Sequence, residues 1–428
     1  MKILFKNNTV NSSHKNFLDQ YILKPNLLKD ITTKEIINAM NSISNYWISN
    51  RCGVRHIIKE YEIGFIALWS KKSNLEKLLK LNFNHYNSLD EPVKEKIFSS
   101  TIYGRPLGLA VHWVAGNIPL LSIISLFQTL LTKNRSIVKV PKNLKNILPE
   151  ILFDLKKNKS FPVKTKKIIN ILLESTLVIY YEKDDFKTQE KLSKSADIRI
   201  VWGGLEAVEN IIGLKKKINC RDIIFGPKIS LAYVSKDKIK SMSNIKKLSS
   251  NLVNDVLPFN QAGCNSPHNL IIEKATKKDL IKIAEALARE FNLRSKEFYL
   301  DNPVDKYNII EKKFIFQSKK RGFVLSGKNN QWNIFINTSK KITIENPIFC
   351  RSIFLISINR LSVLKKILPS NTQSMGIFTS DKKKQNIIKF FADLGIDRFP
   401  SLGKMSIYEN PWDGYLPLQQ MVKWISSN

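Results

Sequence analysis

The stretch Val256-Leu257-Pro258-Phe259-Asn260-Gln261-Ala262-Gly263-Cys264-Asn265-Ser266-Pro267 sets one cysteine among small and polar residues between two apolar segments. Pro258 stops the preceding helix and Pro267 blocks a new one, so a loop presenting Cys264 ahead of a strand over 269–272 is expected. A thiol in such a loop is placed to attack an electrophile, although a structural cysteine fits the same pattern. His268 lies four residues on, but the intervening proline removes the helix that would align the two, which leaves a Cys/His hydrolase dyad unsupported. Three further places carry residue types suited to chemistry. In His112-Trp113-Val114-Ala115-Gly116-Asn117-Ile118-Pro119 a strand end feeds a helix start, with Asn117 as the expected cap and Pro119 in the first turn. Such a junction offers unpaired backbone N–H groups and the positive end of a helix dipole, and His112 itself reads as a packed histidine rather than an acid-base group. Lys139 stands inside an apolar strand over 136–140, near its C-terminal end, where doubly wound sheets bind ligands. A solvated lysine on an edge strand is the alternative. Trp202-Gly203-Gly204-Leu205 again reads as strand, glycines, helix, which would let the backbone approach a pyrophosphate, although the full GxGxxG pattern is missing.

The elements that must position these residues follow from periodicity. Residues 1–95 read as a mostly helical N-terminal region, with apolar residues at helical spacing over 33–40 and 74–81. From about residue 103 the pattern changes to strands over 109–114, 136–140, 177–181, 198–202, 229–234 and 269–272. These alternate with helices over 205–214, 239–257 and 278–291. Such alternation predicts parallel βαβ units and an α/β fold. The expected organisation is a helical region over 1–95, a nucleotide-binding domain over 96–230, a catalytic domain over 231–400 and a C-terminal segment over 401–428 that packs back on the body.

Composition narrows the function class. The 428 residues carry a formal net charge of +33, from 69 basic and 36 acidic side chains. That charge would ordinarily suggest a nucleic-acid partner, but the lysines are spread in short groups beside abundant Asn and Ile, without an arginine-rich segment or a helix-turn-helix pattern. A nucleic-acid-binding protein on an inactive enzyme scaffold is therefore the weaker alternative. The excess of positive charge also suits an anionic substrate or cofactor. The four cysteines stand singly, which argues against a zinc site or a disulfide framework, and no metal is expected. No apolar run approaches a membrane span and no signal-like segment opens the chain, so a cytoplasmic location is expected.

The order of these pieces resembles the aldehyde dehydrogenase superfamily, and within it the LuxC-type acyl-CoA (fatty acyl) reductases. The carrying segments are VHWVAGNIPLLSI (111–123), NRSIVKVPKN (134–143), ADIRIVWGG (196–204), DIIFGPKIS (222–230), FNQAGCNSPHNLII (259–272), LGIDRFPSLGKM (394–405) and PWDGYLPLQQMVKWI (411–425). The resemblance implies an aldehyde-dehydrogenase-like α/β fold, with a Rossmann-like nucleotide domain and an α/β catalytic domain. It implies NADPH-dependent reduction of an acyl-CoA or acyl-protein thioester to an aldehyde. In that scheme Cys264 is the nucleophile, Asn117 and the Cys264 backbone N–H form an oxyanion hole, Lys139 holds the adenosine ribose, and Gly203 and Gly204 line the cofactor phosphates. Gln261 in the cysteine loop, His112 and Glu345 (in Ile344-Glu345-Asn346-Pro347, a counterpart of the superfamily's ribose-binding Glu) are further candidates. Lys142, three residues after the ribose lysine, would attract a 2′-phosphate and favour NADPH over NADH. An acyl-protein synthetase partner and a homo-oligomer are also implied. The chain departs from the superfamily where its catalytic Glu is expected: Ile224 stands there, and the nearest acid, Asp222, is displaced by about 6.6 Å along a strand. This argues for thioester reduction over the alternative, an aldehyde or semialdehyde dehydrogenase working oxidatively.

Overall fold

The computed structural model describes residues 1–7, 14–61, 64–95, 100–294 and 303–427, and it divides into two compact units. The first comprises Met1–Gly226 and Tyr408–Asn428, the second Pro227–Ile407. The expected boundary at 230/231 falls inside a strand of the second unit, and residue 96, expected to open the nucleotide domain, lies outside the described residues.

The first unit is built on a six-stranded sheet. Its strands are β1 (Lys2–Phe5), β4 (Leu109–Trp113), β5 (Arg135–Lys139), β6 (Thr176–Tyr180), β7 (Ile198–Trp202) and β8 (Arg221–Phe225), while β2 (Val93–Lys94) and β3 (Thr101–Pro106) lie outside it. The order is β1-β6-β5-β4-β7-β8, with β1 antiparallel on one edge and the other five parallel. Every residue of β4, β6 and β7 is buried, as expected of parallel strands covered on both faces. The helix Leu120–Leu131 that follows β4 is apolar nearly all round, and each of its residues is buried. Strand β5 lies between β4 and β6, so Lys139 is on a central strand rather than an edge.

Helices precede the sheet in the same unit. Thr33–Ile48 starts with a capping box: the Thr32 hydroxyl accepts the Glu35 N–H, and the Glu35 carboxylate accepts the Thr32 N–H. Strand β1, like the two-residue β2, is an element that the helical reading of 1–95 did not anticipate. Its four residues are too few to carry a periodicity, and they become a strand only by pairing with β6.

The second unit holds β9 (Ile229–Val234), β10 (Pro267–Glu273), β11 (Gly322–Ser326), β12 (Asn333–Asn337), β13 (Ser352–Ile358) and β14 (Thr372–Phe378). Their order is β11-β12-β13-β10-β9-β14, with β11 antiparallel and the rest parallel. The helices Met242–Val256 and Lys277–Arg294 pack an apolar face on this sheet, through Leu248, Leu252, Ile283 and Leu287 against Leu270, Ile272 and Leu355. The last strand of the chain, β15 (Val422–Ser427), returns to the first unit and pairs antiparallel with β3, which also pairs with β2. Among the described residues no helix is long and apolar enough to cross a membrane.

One polar cluster stands in the first unit's core. Arg199 of β7 is fully buried, and it donates to both carboxylate oxygens of Asp222 on β8 at 2.7 Å, to the Ser193 hydroxyl and to the carbonyls of Ile211 and Leu214. Removing Arg199 leaves Asp222 with Lys216 alone and takes the donor from the Ser193, Ile211 and Leu214 acceptors. Arg199→Met is expected to destabilise the protein by about 3–5 kcal/mol in urea unfolding, and a loss below about 1 kcal/mol would contradict this account of the cluster.

Candidate active site

The cysteine loop is positioned from both sides by backbone geometry that the sequence does not advertise. The helix Met242–Val256 ends at Leu257, as the proline at 258 requires, and Phe259, Asn260 and Gln261 all take left-handed conformations, with φ of 52°, 57° and 65°. Gln261 is fully buried. Its side-chain amide donates to the carbonyls of Pro267 (2.8 Å) and Ser352 (2.9 Å), and its oxygen accepts the Ser352 N–H (2.7 Å). The loop is thus tied to the starts of β10 and β13. A second left-handed run, Phe349-Cys350-Arg351, meets it: the Cys350 N–H donates to the Asn260 carbonyl at 3.1 Å, and the Arg351 guanidinium donates to the Asn260 side chain. The Ser230 hydroxyl donates to the Cys264 carbonyl at 2.6 Å. Cys264 itself is half-buried, whereas Cys52, Cys220 and Cys350 are buried.

Burial separates these thiols chemically. It pushes the thiols of Cys52 and Cys220 up, and that of Cys350 up to about 12, so all three are held protonated at neutral pH. His268 does not supply a base beside Cys264: it is buried, its ring meets Phe349 edge-on at 5.3 Å, and burial lowers it to about 3.

In the first unit the candidates gather at the C-terminal ends of the parallel strands. The strand order places β4 at the centre, with chain crossovers leaving it in opposite directions, the arrangement that opens a ligand crevice. Asn117 is exposed just past β4. It is not the helix cap: the helix begins at Leu120 with Pro119 in the cap position, because the proline's fixed φ already suits the first turn, and Asn117 is left three residues outside. Gly116 beside it is held by Asn143, whose amide donates to the Gly116 carbonyl at 2.7 Å. A Cβ at Gly116 would come within 2.8 Å of the Asn143 oxygen. Lys139 ends β5 half-buried, its Nζ 5.4 Å from the centre of the Tyr181 ring. Burial, with Lys183 nearby, lowers its ordinary value. Lys142 is exposed in the turn that follows. Gly203 and Gly204 link β7 to the helix Leu205–Ile212; Gly204 is exposed, with open space where a side chain would stand. His112 is a packed histidine: fully buried, it meets the hydroxyls of Ser125 (2.8 Å), Ser136 (3.2 Å) and Thr129 (3.3 Å), and burial lowers it to about 3.

Two acids are spoken for. Burial would raise Asp222, but the Arg199 hydrogen bonds, the Lys216 ammonium at 2.8 Å and both charges hold it below its ordinary value. Glu345 is buried and shares its carboxylate between Lys312 (2.7 Å), Arg321 and the Thr343 hydroxyl (2.8 Å), which together outweigh burial and lower it. Its backbone is paired with the Asn269 side chain through two further hydrogen bonds. Among the described residues no cluster of three or more His, Cys, Asp and Glu could hold a metal ion.

The family model of the acyl-CoA reductases (LuxC) matches residues 28–424. The chain belongs to this family. It is 23% identical over 431 residues to the long-chain acyl-protein thioester reductase of Aliivibrio fischeri, which spans 93% of this chain and 82% of that protein. It is likewise 23% identical over 427 residues to the protein of that name from Vibrio harveyi, with 93% and 83% covered. The fold is that of the aldehyde dehydrogenases. An oxidoreductase structure from Marinobacter aquaeolei superposes with a TM-score of 0.69 at 13% identity, covering 100% of this chain and 94% of that one. An NAD-dependent aldehyde dehydrogenase from Sinorhizobium meliloti gives 0.68 at 10% identity, covering 96% and 86%. For this LuxC-family chain, brief treatment with iodoacetamide in the native state is expected to modify Cys264 alone, with the other three thiols reacting only after denaturation. Peptide mass mapping reads this directly, and native modification of Cys52, Cys220 or Cys350 ahead of Cys264 would contradict it.

Proposed function

We propose that this chain reduces an acyl-CoA or acyl-protein thioester to the aldehyde, with Cys264 as nucleophile and NADPH as the reductant. The observation that carries the reading is the contrast between one half-buried thiol on a loop fixed by buried hydrogen bonds and three thiols that are buried. The Cys264 thiolate attacks the thioester carbonyl carbon, the bond to the departing thiol breaks, and the acyl group stays on Cys264. A reduced nicotinamide, when bound, supplies the hydride that takes the acyl carbon to the aldehyde level. Asn117 contributes a side-chain amide as donor to the carbonyl oxygen as negative charge develops on it. Lys139 and the Gly203-Gly204 turn suit a nucleotide, since a half-buried cation and an open glycine step lie at the C-terminal ends of β5 and β7, the parallel strands on either side of β4. Lys142 adds an exposed cation for a 2′-phosphate. The acyl-protein form of the substrate, suggested by the names of the relatives, would come from an acyl-activating protein partner.

A hydrolytic dehydrogenase needs a base to activate water, and the expected place supplies none: Ile224 has no proton to exchange, and the nearby Asp222 is clamped by Arg199 and Lys216. Incubation with a long-chain aldehyde and NADP⁺ in the absence of a thiol acceptor is expected to give no sustained formation of carboxylic acid. Steady turnover to acid would overturn the assignment as a reductase. With a panel of acyl-CoAs, wild-type protein is expected to form aldehyde with a higher kcat/KM for NADPH than for NADH. Lys142→Glu should reduce the NADPH value about tenfold while sparing NADH. Equal use of both cofactors, unchanged in Lys142→Glu, would remove NADPH from the proposal.

A further inference from the structure

One buried acid outside the groups already described is built into the approach to the cysteine loop. Asp255, in the last turn of Met242–Val256, is buried, and its two carboxylate oxygens accept the N–H groups of Gly403 and Met405, the latter at 2.8 Å. The carbonyl of that same Met405 accepts the side-chain amide of Asn265 at 2.9 Å and the Arg398 guanidinium at 2.9 Å. Asn265 directly follows Cys264. One short turn therefore holds the segment that enters the cysteine loop and the residue that leaves the nucleophile.

The turn is shaped for this position. Gly403 has φ of +93°, a conformation that side chains disfavour, and a Cβ there would come within 3.1 Å of Asn251 on the same helix as Asp255. Met405 is fully buried, and a Cβ at Gly376 of β14 would come within 2.4 Å of its sulfur, so the turn cannot slide toward the sheet. Arg398 also donates to the Ile407 carbonyl at 2.6 Å, which fixes the exit of the turn. A carboxylate that accepts two consecutive odd-numbered N–H groups leaves the intervening backbone one arrangement, and Asn265 reads that arrangement through a single carbonyl.

We propose that Asp255 is a positioning residue for Cys264, acting through the Met405 turn and Asn265. It touches neither thiol nor substrate. Its carboxylate sets the turn, the turn sets Asn265, and Asn265 sets the backbone on which the thiol is carried. This rests on Cys264 being the reactive thiol, but alkylation reads thiol reactivity without any reduction of thioester, so the two ideas fail separately.

The test is a double-mutant cycle on the intact chain with Asp255→Asn and Asn265→Ala, followed by the rate of Cys264 alkylation by iodoacetamide across a pH series, mapped by peptide mass. Asp255→Asn keeps the shape but turns an N–H-bearing group toward one of the two backbone donors. Each single variant is expected to slow alkylation about tenfold and to move the pH midpoint of the reaction, and the double variant is expected to be no slower than the slower single. Effects that multiply in the double variant, or single variants with the wild-type rate and midpoint, would overturn the proposal. Should Asp255→Asn not fold, Gly403→Ala takes its place in the same cycle, because it disturbs the turn from its other end, and the same two outcomes decide.

Discussion

The side-chain amide of Gln261 does for the cysteine loop what a strand ladder does elsewhere in the sheet. It gives three hydrogen bonds to backbone groups at the starts of β10 and β13, in a place where no water reaches them. Around it, six residues in two runs adopt left-handed backbone conformations, each costing of the order of 1–2 kcal/mol. Such a cost is sustained only where the surroundings over-determine the conformation, and it is a mark of functional loops. The buried amide, the Cys350–Asn260 backbone bond and the Arg351–Asn260 contact supply that determination. Cys264 then hangs on a backbone with few alternatives, half-buried, while every other thiol is buried.

Within each unit, electrostatics removes choices as much as it adds groups. Buried Arg199 absorbs Asp222, and Lys312 with Arg321 absorbs Glu345, so two acids that could have served as base or ribose ligand are committed to structure. His112 and His268 are neutral and buried. On the nucleotide-type sheet the strand ends carry Lys139, Lys142, Asn117 and the Gly203-Gly204 step, with the exposed Glu182 and Asp184 just past β6. Under the proposed function, those cations and the glycine step suit an anionic dinucleotide.

Much of this was legible in the sequence, and the limits are instructive. Alternation of apolar strands and amphipathic helices placed β4, β5, β6, β7, β9 and β10, and Pro258 and Pro267 bounded the cysteine loop, because these signals are local. Strand β1 was not legible, since KILF is a strand only through its partner β6. Whether Lys139 lay at an edge or in the centre depended on neighbours about 26 and 40 residues away, and only pairing decides it. The cap assigned to Asn117 failed by competition: Pro119 is the better residue to start the helix, which leaves Asn117 exposed. Gln261 was visible as a polar residue in the right loop, but its role depends on Ser352, 91 residues on, and no spacing rule reaches that far. The same holds for Asp255, whose partners at 403 and 405 are 148 and 150 residues away.

The central claim is that Cys264 carries the acyl group during the reaction and keeps it until a reductant or a thiol arrives. A rapid-quench experiment tests it most directly: long-chain acyl-CoA is mixed with the protein without nicotinamide, quenched in acid over seconds to minutes, digested and weighed by mass spectrometry. The account predicts an acyl adduct on the peptide containing Cys264, formed stoichiometrically and stable until NADPH or a thiol is added. An adduct confined to any other residue, or no adduct while aldehyde is still produced when NADPH is supplied, would contradict it.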